Sequence, residues 1–320
     1  MADNSWHPTC NARALKARAL LYAAIRNFFA ARDVMEVSTP VLAAHGVTDP
    51  HIPCVAVPGY GHLQSSPEYH MKRLLAAGSG PIYQISHAFR DGETGQRHNP
   101  EFTLLEWYRP GFSLQALIDE TVALLTQQLT QQLAQPPART PLQQHRFRDL
   151  FQVVTGLDPL RASLAELYQA SDGTLPADLD RAALVDYLMA TRVEAALPAN
   201  TLTVISHYPG WAAALARTSQ DADGETVAER FEIYFGAIEL ANGYQELTHA
   251  AEQGQRFQAD QMRRSALGLP TMTGDPRLLA ALSAGLPDCA GVALGLDRLL
   301  MCQLDTNNIR DVLAFPGDIA

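Results

Sequence analysis

The densest run of side chains able to do chemistry is Phe89-Arg90-Asp91-Gly92-Glu93-Thr94-Gly95-Gln96-Arg97-His98-Asn99-Pro100-Glu101-Phe102. Two arginines, a histidine and an asparagine border one polar stretch. A guanidinium is a planar fork of donors that matches phosphate or carboxylate oxygens in pairs. Phe102, at the exit, offers a face on which a base could stack. The same run also reads as a solvated hairpin loop, and spacing alone does not separate the two. A second cluster is Glu232, Glu239, Asn242 and Glu246. Strict alternation puts Glu232, Asn242 and Glu246 on one face of a continuous strand. Acids and an amide beside Gly236 and Gly243 suit Mg²⁺ through oxygen, or an ammonium. A charged outer sheet face would look the same. The third is Gly291-Val292-Ala293-Leu294-Gly295-Leu296-Asp297-Arg298. Its glycines permit close approach of a ligand, and Asp297 suits a helix N-terminus. Arg298 does not, because that end of the dipole prefers anions, and a bound phosphate would explain it. The fourth is Glu106-Trp107-Tyr108, where a buried Glu106 beside Tyr108 suits a cationic tail, although a core ion pair is the commoner explanation of such a pair. No Ser/His/Asp order, Walker loop or H-E-x-x-H appears, and the ten histidines are scattered.

These residues need elements to hold them. Apolar steps of three and four predict a helix over residues 11–32, with Leu15, Ala19, Tyr22, Ile25, Phe28 and Phe29 recurring. A short strand at 34–37 runs to Pro40, which belongs at a strand end or sheet edge. Residues 43–62 read as loop with short strands. Ser66-Pro67-Glu68 reads as a helix start, with Ser66 as cap and Pro67 in the first turn. Strands at 81–90 and 102–108 flank the Arg90 loop, most simply antiparallel. A Gln-rich helix spans 114–135, its stripe Leu117, Val122, Leu125, Leu129 and Leu133, and Pro136-Pro137 ends it. Helices near 147–155, 163–170 and 180–196 read as an all-helical insertion, so that the insertion as a whole covers about 114–200. Strands follow at 202–206, 229–235 and 238–247. Helices at 251–268 and 278–284 precede a small-residue strand or turn at 291–295 and a helix at 296–304. With no repeat or long linker, residues 1–320 read as one catalytic domain.

The chain has 320 residues, 47% apolar and 18% charged, a globular balance. Its formal charge of −10 argues against general polyanion binding, which needs clustered Lys and Arg. No apolar run is long enough to span a membrane, and the start lacks a secretory pattern. Cys10, Cys54, Cys289 and Cys302 lie far apart without a C-x-x-C pair, which fits a reducing cytoplasm.

Together the segments resemble class II aminoacyl-tRNA synthetases. The order fits: the helix and strand ending at Pro40, the Arg90 strand–loop–strand, then the Gly295-Leu296-Asp297-Arg298 helix start. Ser66-Pro67-Glu68, Arg97-His98-Asn99-Pro100-Glu101-Phe102 and Glu239-Leu240-Ala241-Asn242-Gly243 narrow this to the lysyl type. Room for an N-terminal anticodon-binding OB domain is absent. That feature, with Glu106-Trp107-Tyr108-Arg109-Pro110 and the Gly291–Gly295 run, resembles the elongation factor P β-lysine ligase family.

The resemblance implies an α+β class II catalytic fold, an antiparallel sheet flanked by helices, and a cytoplasmic homodimer. It implies ATP, Mg²⁺, (R)-β-lysine and elongation factor P as reactants, with neither tRNA nor membrane involved. By motif, Arg90 and Arg298 are catalytic. Arg90 holds the α-phosphate and carboxylate, while Phe102 and Arg298 sandwich adenine. Asp91, Gly92, Glu93, Arg97, His98, Asn99, Glu239, Leu240 and Gly295 border the nucleotide. Glu232 and Glu239 hold Mg²⁺. Ser66, Pro67 and Glu68 meet the amino group near the reacting carboxyl, and Glu106, Tyr108 and Glu246 grip the distal ammonium. Asn242, Tyr244 and Ala293 line the pocket. The chain departs from the pattern at Glu93, one residue late for the motif's acid, at His249, where the lysyl type has Asp, and at Ala293, where it has Gly. A truncated lysyl-tRNA synthetase and an inactive lysine-binding paralogue are the competing readings.

Overall fold

The structure, a computed structural model, describes residues 6–132, 140–171, 173, 175, 176 and 178–320. The first helix, α1 (Ala12–Ala30), starts where the Asn11 side chain accepts the Ala14 N–H at 3.0 Å. It buries Ala14, Ala17, Leu21, Ile25, Phe28 and Phe29. The expected stripe is therefore corrected at its N-terminal half: Leu15 and Ala19 face outward, as does Leu20. The helix is apolar on more than one side, and the sheet takes the side that carries the two phenylalanines.

Strand β1 (Met35–Glu36) pairs parallel with β5 (Ile82–Phe89), at the edge of a nine-stranded sheet, and Pro40 follows beyond it. Between them lie a small sheet of β2 (Leu42–Ala43), β3 (Ala56–Val57) and β4 (Gly61–Leu63), and helix α2 (Glu68–Ala76). Antiparallel to β5 runs β6 (Glu101–Pro110), and the Arg90 N–H bonds Pro100 O at 2.9 Å to close the loop between them. Helix α3 (Leu114–Gln132) buries Leu117, Leu125 and Leu129. The predicted Leu133 and the end at Pro136-Pro137 lie outside the described residues.

The segment expected to be all-helical also supplies a strand, β7 (Leu142–Arg146), parallel to β8 (Leu202–Pro209). Period-two alternation is blurred there because β7 is an edge strand with little burial. Helices α4 (Phe147–Thr155), α5 (Leu164–Ala170) and α6 (Arg181–Leu188) follow, the last running on through a wide turn and a tight turn to Ala196. They build a core of their own with Phe147, Phe151, Leu167 and Leu188. By contrast α3 joins the main core with α1, so it does not belong to that unit.

After the short β9 (Thr218–Gln220), β10 (Thr226–Phe235) and β11 (Ile238–Gln245) form a hairpin. Helices α7 (Ala250–Ala266) and α8 (Pro276–Gly285) lead to β12 (Cys289–Gly295), which feeds α9 (Leu296–Leu304). The large sheet runs β1-β5-β6-β12-β11-β10-β8-β7, with β9 beside β10. Its inner pairs are antiparallel as expected, whereas its two outer pairs, β1–β5 and β7–β8, are parallel. Leu105, Trp107, Phe231 and Ile233 enter the core beneath α1, α3 and α9. Alternation then turns Glu106, Tyr108 and Glu232 to the opposite face of the sheet.

Candidate active site

The sheet's other face carries two chemically opposite ends. At one, three acids converge. Glu106 on β6 is 1% exposed, and it accepts the Tyr108 hydroxyl at 2.6 Å and the Ser66 hydroxyl at 2.7 Å. Ser66 is bound twice, since it also accepts the Glu68 N–H at 3.0 Å; it acts as a cap one residue ahead of Pro67. Glu246, just past β11, is 1% exposed. Between Glu246 and Glu68 sits the Lys72 ammonium, 2.6 Å from each. Burial pushes Glu106 up to about 8, and the negative Glu68 adds to it. Burial also pushes Glu246 up to about 7, opposed by Lys72. Burial works against the Lys72 charge, but Glu246 and then Glu68 outweigh it, and the amine is held protonated.

Gly291 makes this end possible. A Cβ there would overlap both Tyr108 Cε1 and Glu246 Oε1. The close approach expected of this glycine is thus to the protein's own pocket wall. Ala293, two residues on, stands opposite Asn242 on β11 and Glu106 on β6.

The other end is cationic. Arg90 leaves β5 with its guanidinium carbon 5.0 Å from the Phe102 ring centre and 3.4 Å from Nη1 to Glu93 Oε1. Its buried Nε finds no partner among the described residues, the arrangement expected of a donor that serves an anion. Gly92, at φ +71°, makes the turn that brings the late acid Glu93 back to Arg90. Arg298, in the first turn of α9, bonds Glu239 O at 3.1 Å and Glu239 Oε2 at 3.2 Å. Its Nη2 lies 2.8 Å from His98 Nε2. Burial, and then Arg298, lower the His98 pKa, so the ring is neutral and Nε2 accepts. Arg97 reaches Ala237 O at 2.8 Å, on the turn of the β10–β11 hairpin. Arg90, Arg97, Arg298 and His98 therefore surround one region. Leu240 is buried behind it, and Gly295 opens α9, where a Cβ would lie 3.9 Å from Arg298 Cβ and from Leu240 O.

Several predicted positions sit differently. Glu232 and Asn242 are not on one continuous strand: Gly236, at φ +56°, turns the hairpin, and the two become cross-strand partners. The Glu232 carboxylate is engaged on both oxygens. It accepts the Tyr208 hydroxyl at 2.6 Å and the Tyr234 hydroxyl at 2.5 Å, and pairs with Arg230. Asn99 is buried and bonds the backbone, donating to Glu101 O at 2.6 Å and accepting the Gly317 N–H at 3.1 Å, so it ties the C-terminal segment to the loop. Asp91 is exposed on the loop, and its N–H bonds Pro53 O. Asn242 accepts from Arg230 and donates to the Tyr244 hydroxyl, lining the space between the two ends. His249 stands at the N-cap of α7 and supplies no side-chain cap.

Sequence reasoning missed four contributors. Asp297 is more than a helix-start acid: buried, it accepts the Thr103 N–H at 2.7 Å and Arg18 at 2.6 Å, clamping α9 to β6 and α1. Arg230 is the partner of Glu232. Glu194, from the inserted helices, meets Tyr234 at 3.3 Å and is pushed up to about 7 by burial and by Glu232. Lys72 has no role in the sequence reading, and its only local signal is the i, i+4 spacing from Glu68. Among the described residues no group of three or more His, Cys, Asp or Glu side chains is placed to hold a metal by itself. Mg²⁺ is, however, usually held by one or two carboxylates together with substrate phosphates. The partly exposed Glu239 carboxylate, beside Arg298, fits that pattern. Glu232 offers less, since Tyr208, Tyr234 and Arg230 already take three of its acceptor positions.

The family of class II tRNA synthetases, types D, K and N, matches residues 8–319, and the chain belongs to it. Several curated relatives carry the name of a protein ligase. An elongation factor P–(R)-β-lysine ligase of Pasteurella multocida (strain Pm70) is 46% identical over 325 residues, covering 98% of each chain. Relatives of the same name from Haemophilus influenzae (strain PittGG) and Mannheimia succiniciproducens are 45% and 46% identical over 100% and 98% of this chain.

Proposed function

We infer that this chain is an ATP-dependent, AMP-forming ligase that activates (R)-β-lysine and transfers it to the ε-amino group of a lysine on elongation factor P. The observation that carries this reading is one sheet face with a cationic end at Arg90, Arg97 and Arg298 and an acidic end at Glu68, Glu106 and Glu246. A lysine-like acid and a nucleotide bring the complementary charges, and their reacting groups meet between the ends.

In this reading Arg90, with its buried Nε unpartnered among the described residues, bonds both the substrate carboxylate and the α-phosphate. A carboxylate oxygen attacks the α-phosphorus, and the bond to pyrophosphate breaks. Charge builds on the phosphoryl oxygens in that step, and a fixed guanidinium stabilises it without reorganising. Phe102 and Arg298 hold the adenine, and Glu93 is kept near it by Arg90. His98 and Arg97 flank the outer phosphates. Mg²⁺, when bound at Glu239, offsets charge on those phosphates. Glu232 supports that end through Arg230. Ser66 and Glu68 meet the β-amino group, while Glu106, Tyr108 and Glu246 take the distal ammonium beside Asn242, Tyr244 and Ala293. In the second step the neutral acceptor amine attacks the acyl carbon, and the acyl–phosphate bond breaks to release AMP. Fixing both partners supplies much of the acceleration, because the adenylate is already activated.

The unit spans residues 1–320, and a cytoplasmic enzyme acting as a homodimer fits best. No helix among the described residues is long and apolar enough to cross a membrane. The names of the relatives favour a protein acceptor over tRNA. ATP–pyrophosphate exchange with (R)-β-lysine and α-lysine, followed by intact-mass analysis of elongation factor P, tests the reading. Preference for β-lysine with the matching mass gain supports it. Exchange with α-lysine and charging of tRNA would replace it with a truncated lysyl-tRNA synthetase.

A further inference from the structure

Lys72 is 1% exposed, yet its ammonium is placed among the groups that face the amino acid. It takes one oxygen of Glu68, on its own helix, and one of Glu246, beyond β11. Behind these acids on β6 stand Glu106 and Tyr108, bonded to each other, with Ser66 on the second oxygen of Glu106. Cys289 on β12 and Tyr69 on α2 also feel the Lys72 charge. Among the described residues no other cationic side chain pairs with Glu68, Glu106 or Glu246. Three carboxylates and one fixed ammonium leave a deficit of two positive charges. A buried carboxylate left unpaired is costly. In the free protein burial shifts Glu106 and Glu246 toward their protonated forms, the direction that lessens the deficit.

We propose that Lys72 is a positioning residue that fixes this deficit at two and so selects a carboxylic acid bearing two ammonium groups. The proposal rests on the reading of this end as the amino-acid pocket. Lys72 acts through Glu68 and Glu246: it anchors one oxygen of each and leaves the other for the ligand. Without Lys72 the pocket would need a third positive charge. Without one acid it would need only one, and an acid with a single ammonium would become an adequate ligand.

The test compares (R)-β-lysine with 6-aminohexanoate, which keeps the distal ammonium and lacks the other, in ATP–pyrophosphate exchange by the full chain. The measured quantity is the ratio of kcat/KM for the two acids. Contacts to the distal ammonium are common to both and cancel in the ratio, which leaves the charge count. The wild-type ratio is high. Glu246→Gln lowers it by about tenfold or more, and Lys72→Met combined with Glu246→Gln restores it, because the deficit returns to two. Lys72→Met alone raises KM for (R)-β-lysine about tenfold or more with little change in kcat, and Lys72→Arg recovers most of that loss. Should Lys72→Met fail to fold, the double variant, whose remaining acid count is balanced, carries the test with Glu246→Gln. A double variant with a ratio as low as Glu246→Gln overturns the proposal, and so does a Lys72→Arg variant no better than Lys72→Met. A well-folded wild-type chain that activates neither acid overturns instead the functional reading beneath it.

Discussion

Arg90 shows how one side chain links the two chemical ends. It is held over Phe102 and beside Glu93, and its buried Nε is unpartnered by the described residues. Arg90→Ala should reduce pyrophosphate exchange by about 10²–10³-fold, the usual scale for losing one preorganised donor to a developing charge. Its melting temperature should stay near the wild-type value, because the side chain is not part of the core. Near-normal exchange in that variant would remove Arg90 from the reaction. Glu106 gives a prediction with a definite sign. Its pKa in the folded chain, about 8, lies above the ordinary value of 4.5. The neutral form is therefore the one that suits the fold, and the stability it contributes is full below pH about 4.5 and lost as pH rises through about 8. Glu246 acts in the same direction up to about 7. The melting temperature of the free protein should fall across this window. Glu106→Gln should flatten the fall, and saturating (R)-β-lysine should flatten it too, since an ammonium favours the ionised acids. An unchanged slope in Glu106→Gln would place the titration elsewhere.

At the scale of elements, the pocket depends on strands that come close together. Gly291 on β12 lies opposite Tyr108 on β6 and Tyr244 on β11, in the middle of the sheet. Any side chain there meets the Tyr108 ring and the Glu246 carboxylate. Gly291→Ala should raise KM for (R)-β-lysine and cost about 1–3 kcal/mol of stability, the usual penalty for overpacking. KM for ATP should hardly move, because the nucleotide is held at the other end. Equal changes in both KM values would mean that the glycine serves the whole sheet. Glycine in a strand was readable as a sign of close approach, but the sequence did not show what approaches. The β10–β11 hairpin teaches a related lesson. Alternation identified Glu232 and Asn242 as sharing a face, and they do. They face each other across a turn at Gly236, however, and the partner that neutralises Glu232 is Arg230 on its own strand.

For the whole molecule, α1 and the edge strand β1 present apolar side chains to the surface. Leu15 is 45% exposed, Leu20 53% and Met35 50%, with Val41 and Leu42 also outward. Scattered exposed apolar residues are common, but these fall on neighbouring segments beside the sheet edge. They suit the homodimer proposed above. Leu20→Glu combined with Leu15→Glu should shift the chain from dimer to monomer in sedimentation, with its secondary structure retained. A wild-type chain that sediments as a monomer at micromolar concentration would refute the assignment of this face.

The sequence by itself determined most of the helices and strands, β7 and β9 excepted, the antiparallel pairing of β5 with β6 and the residue types of both ends of the site. Those follow from local rules: period, caps, proline positions and the chemistry of arginine, acid and glycine, all legible within a few residues. The assignment of roles came from the combination of motifs along the chain. Only the tertiary structure decided which partner each charge has. Lys72 lies 174 positions before Glu246 and Arg18 279 before Asp297, so their pairing appears in no local pattern. Charges seek the nearest opposite charge in space once water is excluded, and that distance is set by the packing of the sheet. For the same reason no local pattern shows that Asn99 holds the C-terminal segment or that a helix-start acid, Asp297, clamps three elements together.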